Sequence, residues 1–227
     1  MAVAEMHSEK ILTRVLNPSH SNYTHVYMTS LSCTSQATPV DVLKGASQSP
    51  AMVLDELVMQ AMRGDQDSRN KLLRFMQDRW FRFAVANTGC HDMAMEATQE
   101  TALRVLEQLQ RFEGQSTFST WSLGIALNVC RELKRKAARQ NRRSLLRLTW
   151  FKQTESVAHP VVEQAEHLDL LHKHLAELSD RQREAISLRY FEHCTTQQTA
   201  ELMGVSTGTV KATLSQAISQ LRRNWSD

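Results

Sequence analysis

The stretch Thr199 to Leu214, TAELMGVSTGTVKATL, leaves little freedom of local structure. A short run with helical apolar spacing stops at Gly204, and Ser206 opens a second one. A glycine just past the last apolar position suits a left-handed helix end, and serine is a strong N-cap. Val205 can plug the angle between the two helices, and Ala200 is small enough to let them cross closely. The second helix then turns Val210, Leu214, Ala217 or Ile218, and Leu221 inward. Gly208 falls in its first turn, although glycine inside a helix costs about 0.5–1 kcal/mol relative to alanine. A missing side chain there bares amide N–H groups suited to a phosphate. The pattern predicts a helix-turn-helix, its second helix placed to read a DNA major groove.

The same 3.6-residue period runs through most of the chain. Leu54, Leu57, Val58, Ala61 and Met62 share one helical face, broken by Gly64-Asp65. Leu72, Leu73, Met76, Trp80, Phe83 and Ala84 form a second stripe, ended by Gly89. A third begins near Asp92 with Met95, Ala102, Val105, Leu106 and Leu109, and a fourth runs from about Thr120 through Leu123, Ala126, Leu127, Cys130 and Leu133. Leu168, Leu171, Leu175 and Leu178 line another, and Ser179/Gln182 and Thr195/Gln198 match capping boxes. With 41% apolar residues, 7 glycines, 4 prolines and 6% aromatics, the composition favours packed helices over sheets. The expected fold is therefore all-α, two small helical domains joined by a flexible linker. Residues 1–49, rich in Ser, Thr, Asn and His and without sustained period, are expected to be a flexible tail. Residues 50–139 form the first domain, 140–165 the linker and 166–227 the second domain.

Several classes are disfavoured. Cys33, Cys90, Cys130 and Cys194 are far apart and form no C-x-x-C, so a disulfide framework is not expected and a reducing cytoplasm fits. Cys90-His91 and His193-Cys194 lack the paired spacing of a zinc site, so no metal is expected. No segment approaches the roughly 18 apolar residues of a membrane helix, and Glu5, Glu9 and Lys10 stand where a signal peptide would be apolar. There is no glycine-rich phosphate loop and no nucleophile motif, so neither catalytic residues nor a cofactor are expected.

The net charge of +3 says little, but its distribution says more. RELKRKAARQNRR, Arg131 to Arg143, carries seven basic residues against one acid, Glu132. The helix it extends begins with STFSTW, Ser116 to Trp121. Cations hold phosphates, and aromatic faces beside them can stack on unpaired bases. A solvated charged face, with Trp121 in the core, is the plain alternative.

Together these pieces resemble bacterial sigma factors of the extracytoplasmic-function (ECF) class. RFEGQSTFSTWSLGIALNVCRELKR is similar to their promoter-melting and −10-reading segment, F-x-G-x-S-x-F-x-T-W-L-x-x-I-A-x-N followed by a basic stretch. LAELSDRQREAISLRYFEHCTTQQTAELMGVSTGTVKATLSQAISQLRR is similar to their −35-reading domain. The resemblance implies a cytoplasmic protein that is not an enzyme, binds core RNA polymerase, directs it to promoter DNA and helps open that DNA. An anti-sigma factor is an implied partner; membrane insertion is not. It implies that Glu96, Gln99 and Glu100 meet the polymerase. Gln115, Ser116, Thr117, Phe118, Thr120 and Trp121 would receive a flipped −10 base, with Asn128, Arg131 and Arg135 along the same strand. Lys211, Ala212, Ser215 and Gln216 would face the −35 groove, with Thr207 and Thr209 at phosphates.

The chain departs from the family pattern in places. Thr213 and Gln216 stand where arginine is frequent, which implies a different base preference. Ser122 stands where leucine is common and Thr199 where isoleucine is common. A helix-turn-helix repressor or activator without polymerase docking is the competing class, but it gives no reason for the loop and basic helix of the first domain.

Overall fold

The computed structural model describes residues 50–145 and 175–226, with side chains over 53–140 and 175–223. The expected tail, most of the expected linker and most of the helix expected from Glu166 lie outside the described residues. Among the described residues every long regular element is a helix: α1 Pro50–Met62, α2 Gln66–Thr88, α3 His91–Gln108, α4 Phe118–Leu145, α5 Asp180–Ile186, α6 Thr196–Met203 and α7 Thr207–Ser226.

Helix ends follow local chemistry. Asp65 caps α2 by accepting the Ser68 N–H at 2.9 Å, and Gly89 closes it with φ of 66°. Both expected capping boxes form, Ser179 with Gln182 on α5 and Thr195 with Gln198 on α6. α5 continues as a π-helical turn, Ser187–Phe191.

Two boundaries differ from expectation. α4 begins at Phe118, because Thr117 Oγ1 accepts the Thr120 N–H at 3.2 Å and caps the helix there. It also runs to Leu145, since no glycine or proline intervenes after residue 139.

The first module packs α1 to α4 around Leu72, Met76, Trp80, Phe83, Val105, Leu109, Leu123 and Leu127. Apolar size points to Met95, Ala102 and Leu106 as the inner face of α3, yet these are only half-buried. Val105 and Leu109 are buried as expected, but the rest of the buried face is made by Ala94, Ala97, Thr98 and Thr101. Small residues allow close approach to α2 and α4, and the threonines satisfy their hydroxyls on Ala94 O at 2.8 Å and Ala97 O at 2.6 Å.

Ser122, where a leucine is common in the family pattern, is fully buried. The Trp80 indole N–H donates to its Oγ at 3.1 Å, and that hydroxyl donates to Ser119 O at 3.0 Å. Ser122→Ala strands the indole N–H in a dry core and is expected to cost about 1–3 kcal/mol in urea unfolding. A neutral result would mean that water reaches Trp80.

The modules are not independent. Core residues of α5, its π-helical turn, α6 and α7, including Ile186, Leu188, Met203, Val210 and Leu221, are continuous with the core of the first module. The tether expected between the domains therefore joins two modules that already share a packed seam.

Candidate nucleic-acid interface

The loop before α4 turns at Gly114, whose φ is 71°. It leaves Gln115, Ser116 and Thr117 exposed, while Thr120 and Trp121 are half-buried. Phe118 corrects the expectation of a stacking platform, since its ring is 1% exposed. It packs edge-on against Phe112 at 5.6 Å and tilted against Trp121 at 5.6 Å. A ring held on these sides offers no free face to a base. It anchors the loop instead, and the polar tip is what solvent or a ligand meets.

Along α4 the polar and cationic side chains divide into two groups. Asn128, Arg135, Lys136 and Arg139 are exposed, Lys136 lying 3.4 Å from Glu96. Arg131 is committed elsewhere. Its Nε and Nη2 donate to the two carboxylate oxygens of Glu184 on α5, at 2.8 and 2.7 Å. Glu184 is 3% exposed, and its carboxylate keeps the guanidinium firmly charged. Lys134 donates to Asp180 at 2.9 Å and to Asn87 O at 3.1 Å. The structure thus does not gather Arg131 with the exposed track on which it was expected.

On α3, Glu96 and Gln99 are exposed and Glu100 is half-buried. Arg104 donates to Glu100 at 2.7 Å and, with both terminal nitrogens, to Glu132 on α4 at 2.9 and 2.7 Å. These hydrogen bonds hold the Glu132 carboxyl below the usual carboxylate range. Glu96, Gln99 and Glu100 flank a cleft of about 610 Å³ between α3 and α4, beside the exposed Leu103.

In the helix-turn-helix, Gly204 has φ of 69°. The Val205 N–H reaches Ala200 O at 2.9 Å and the Gly204 N–H reaches Glu201 O at 3.1 Å, a Schellman closure. Ser206 then caps α7, its Oγ accepting the Thr209 N–H at 3.1 Å. Val210, Leu214, Ala217 and Leu221 are buried, which turns Lys211, Ala212, Ser215 and Gln216 outward together. Thr207 and Thr209 are exposed at the helix start, although the Thr209 hydroxyl is shared with Ser206 at 2.9 Å. A Cβ on Gly208 would meet nothing closer than Ser206 Oγ at 3.7 Å, so packing does not demand that glycine. Thr199 is buried and turns its hydroxyl back to Thr195 O at 2.8 Å, which lets it replace an aliphatic residue.

Burial pushes the Cys130 thiol up to about 12 and that of Cys194 up to about 11, so neither offers a thiolate at neutral pH. Among the described residues no group of His, Cys, Asp and Glu has the geometry of a metal site.

Comparison with known proteins agrees with this geometry. A family model described as Sigma-70 region 2 matches residues 72–140, and one described as Sigma-70, region 4 matches 168–221. Together they cover more than half of the chain. Similar proteins include the ECF RNA polymerase sigma factor BldN of Streptomyces coelicolor, 27% identical over 78% of this chain and 68% of that protein. The ECF RNA polymerase sigma factor SigW of Bacillus subtilis is 22% identical over 78% of this chain and 98% of that protein. Among solved structures, the sigma factor RpoE from Bartonella quintana, in complex with the anti-sigma factor NepR, superposes with a TM-score of 0.60. It is 26% identical and covers 70% of this chain and 96% of that one. CnrH, in complex with the cytosolic domain of CnrY, shares the fold with a TM-score of 0.57, at 19% identity over 75% and 96% of the two chains. The chain belongs to the sigma-70 family of RNA polymerase sigma factors, in its ECF class.

Sequence reasoning missed Glu184, Asn87 and Gly124, which lie where the two modules meet. Gly124 carried a usable signal, a glycine in the middle of a long helix.

Proposed function

We infer that this chain is a sigma factor that binds core RNA polymerase, directs it to promoters through −10 and −35 elements, and helps open the DNA. One observation carries this. A single chain holds both an exposed polar loop heading a cation-bearing helix and a helix-turn-helix whose reader face is free. A repressor needs only the second.

We propose the following roles. The Gln115–Thr117 tip, with Thr120 and Trp121 behind it and Phe118 anchoring it, accepts an extruded −10 base. Asn128, Arg131 and Arg135 hold the strand that carries it. Glu96, Gln99 and Glu100 face the polymerase. Thr207 and Thr209 meet −35 phosphates. Lys211, Ala212, Ser215 and Gln216 enter the groove. The chain works in the cytoplasm without chemistry of its own, and no helix among the described residues is long and apolar enough to cross a membrane. An anti-sigma protein is the proposed regulator, as the Bartonella sigma factor is seen with one.

Co-purification with core polymerase tests this function. Retention of the chain on core polymerase is expected; duplex binding without retention would favour the repressor. The reader helix gives a finer test. An amide can pair bidentately with adenine, at about 1–3 kcal/mol per good contact. Gln216→Ala is therefore expected to change which −35 bases are preferred in a binding selection. Equal weakening on all sequences would mean a different docking of α7.

A further inference from the structure

The basic run of α4 contains one acid, Glu132, with Arg135 and Lys136 one turn further on. A glutamate followed by a cation three or four residues later is the ordinary ion pair of a helix surface, and the order Glu then Lys at four residues is the favourable one. On its own helix, Glu132 would draw in one of these two cations. It takes neither. Both of its oxygens accept from the Arg104 guanidinium on α3, at 2.9 and 2.7 Å. Arg104 is itself held from behind, its Nε donating to Glu100 at 2.7 Å. Lys136 is turned toward Glu96, at 3.4 Å. Arg135 is left exposed.

Physical chemistry favours this choice of partner. The planar fork of an arginine meets both oxygens of a carboxylate at once, which a single-point contact from a neighbour on the same helix does not. The Arg104 side chain is 28% exposed against 46% for Glu132, so the pair lies along the wall between α3 and α4 and is screened less than a pair out on the α4 surface. Arg104 is the main cause of the low Glu132 pKa, and Arg135 adds a weaker pull in the same direction. Arg135 is thus within electrostatic reach of the carboxylate and is the next cation available to it.

We propose that Arg104 is a positioning residue for the −10 strand: by taking both oxygens of Glu132 it keeps the one carboxylate of the basic run off Arg135 and leaves that cation to a phosphate. The inference rests on the assignment of α4 as the strand-tracking helix. Arg104 does not touch DNA; it acts through Glu132. Without the fork, Glu132 swings onto Arg135, and the strand has to displace a carboxylate to reach the guanidinium.

The test uses the holoenzyme, with the full chain in excess over core RNA polymerase and core polymerase alone as the background. The readout is affinity for a fluorescent single-stranded DNA oligonucleotide across a range of salt concentrations. Arg104→Lys is the informative variant, because it keeps the charge and loses the fork. One phosphate contact on a single strand contributes about −0.7 to the slope of log affinity against log salt, which is about fivefold at about 0.1 M salt. Arg104→Lys is therefore expected to bind about fivefold more weakly there, with a slope shallower by about 0.7. Combining it with Glu132→Gln is expected to abolish the defect, so that the double variant binds as tightly as Glu132→Gln alone. Wild-type affinity in Arg104→Lys would overturn the proposal, because charge without the fork would suffice. A double variant still about fivefold weaker than Glu132→Gln would overturn it as well, because Arg104 would then act on the strand, the polymerase or the fold and not through Glu132. Should the lysine variant lose its helices by circular dichroism, Arg104→Gln takes its place, and the same comparison with and without Glu132→Gln decides. Arg135→Gln separates this proposal from the reading beneath it. If it weakens binding while Arg104→Lys does not, the role of Arg104 alone is wrong; if it binds as wild type does, the strand-tracking assignment fails and the proposal falls with it.

Discussion

Phe118→Ala is expected to lower the free energy of unfolding by about 3–5 kcal/mol, the range for deleting a fully buried aromatic ring. The ring is 1% exposed and shares its surroundings with Phe112 and Trp121, whose centroids lie 5.2 Å apart. Its removal leaves a cavity where the loop joins α4, and the neighbouring rings cannot close it without moving the helix start. Gln115→Ala, three residues away on the exposed tip, should stay within about 0.5 kcal/mol of wild type. Urea unfolding followed by circular dichroism makes the comparison. A loss below about 1 kcal/mol for Phe118→Ala would mean that the ring lies out in solvent and is the stacking platform the sequence suggested.

The second large effect concerns strand opening. If the loop tip holds an extruded base, the unstacking cost of a few kcal/mol must be recovered in a pocket that fits that base. Replacing Ser116 and Thr117 together by bulky residues fills the pocket and leaves that cost uncompensated, about a hundredfold or more in open-complex yield. Association with polymerase should persist, because Glu96, Gln99 and Glu100, the proposed polymerase contacts, lie on a different helix, α3. A template with a premelted bubble should rescue this variant. Charge reversal at the exposed Arg135 should behave differently, weakening duplex and bubble alike and lowering the slope of affinity against salt by about one, as loss of a phosphate contact requires. A loop variant that melts duplex normally would reduce Gln115–Thr120 to a structural turn.

Local features of the fold were legible because each is decided within a few residues. Capping at Ser179 and Thr195 and the left-handed turn at Gly204 need only near neighbours, and sequence spacing exposes them directly. The inward face of α7 follows from the same periodicity. What was not legible depends on residues far apart. Phe118 reads as exposed beside a basic run, until Phe112 and Trp121 close around it. The face of α3 reads by size, but proximity to α2 and α4 rewards Ala94, Ala97 and the threonines. Arg131 reads as one of a run of cations, and only α5, more than forty residues later, supplies its carboxylate. Ser122 was visible as a departure from pattern, and its reason, the Trp80 indole, again comes from another helix.

Permanganate footprinting of duplex promoter fragments tests the central claim most directly. Core polymerase and this chain are added separately and together. Reactive thymines near the start site are expected only when both are present, because in the proposed mechanism the chain supplies promoter choice and the base pocket while polymerase supplies the transcribing machine. Fragments bound by the chain alone, with no melted thymines after polymerase is added, would contradict the account and leave a duplex-binding repressor.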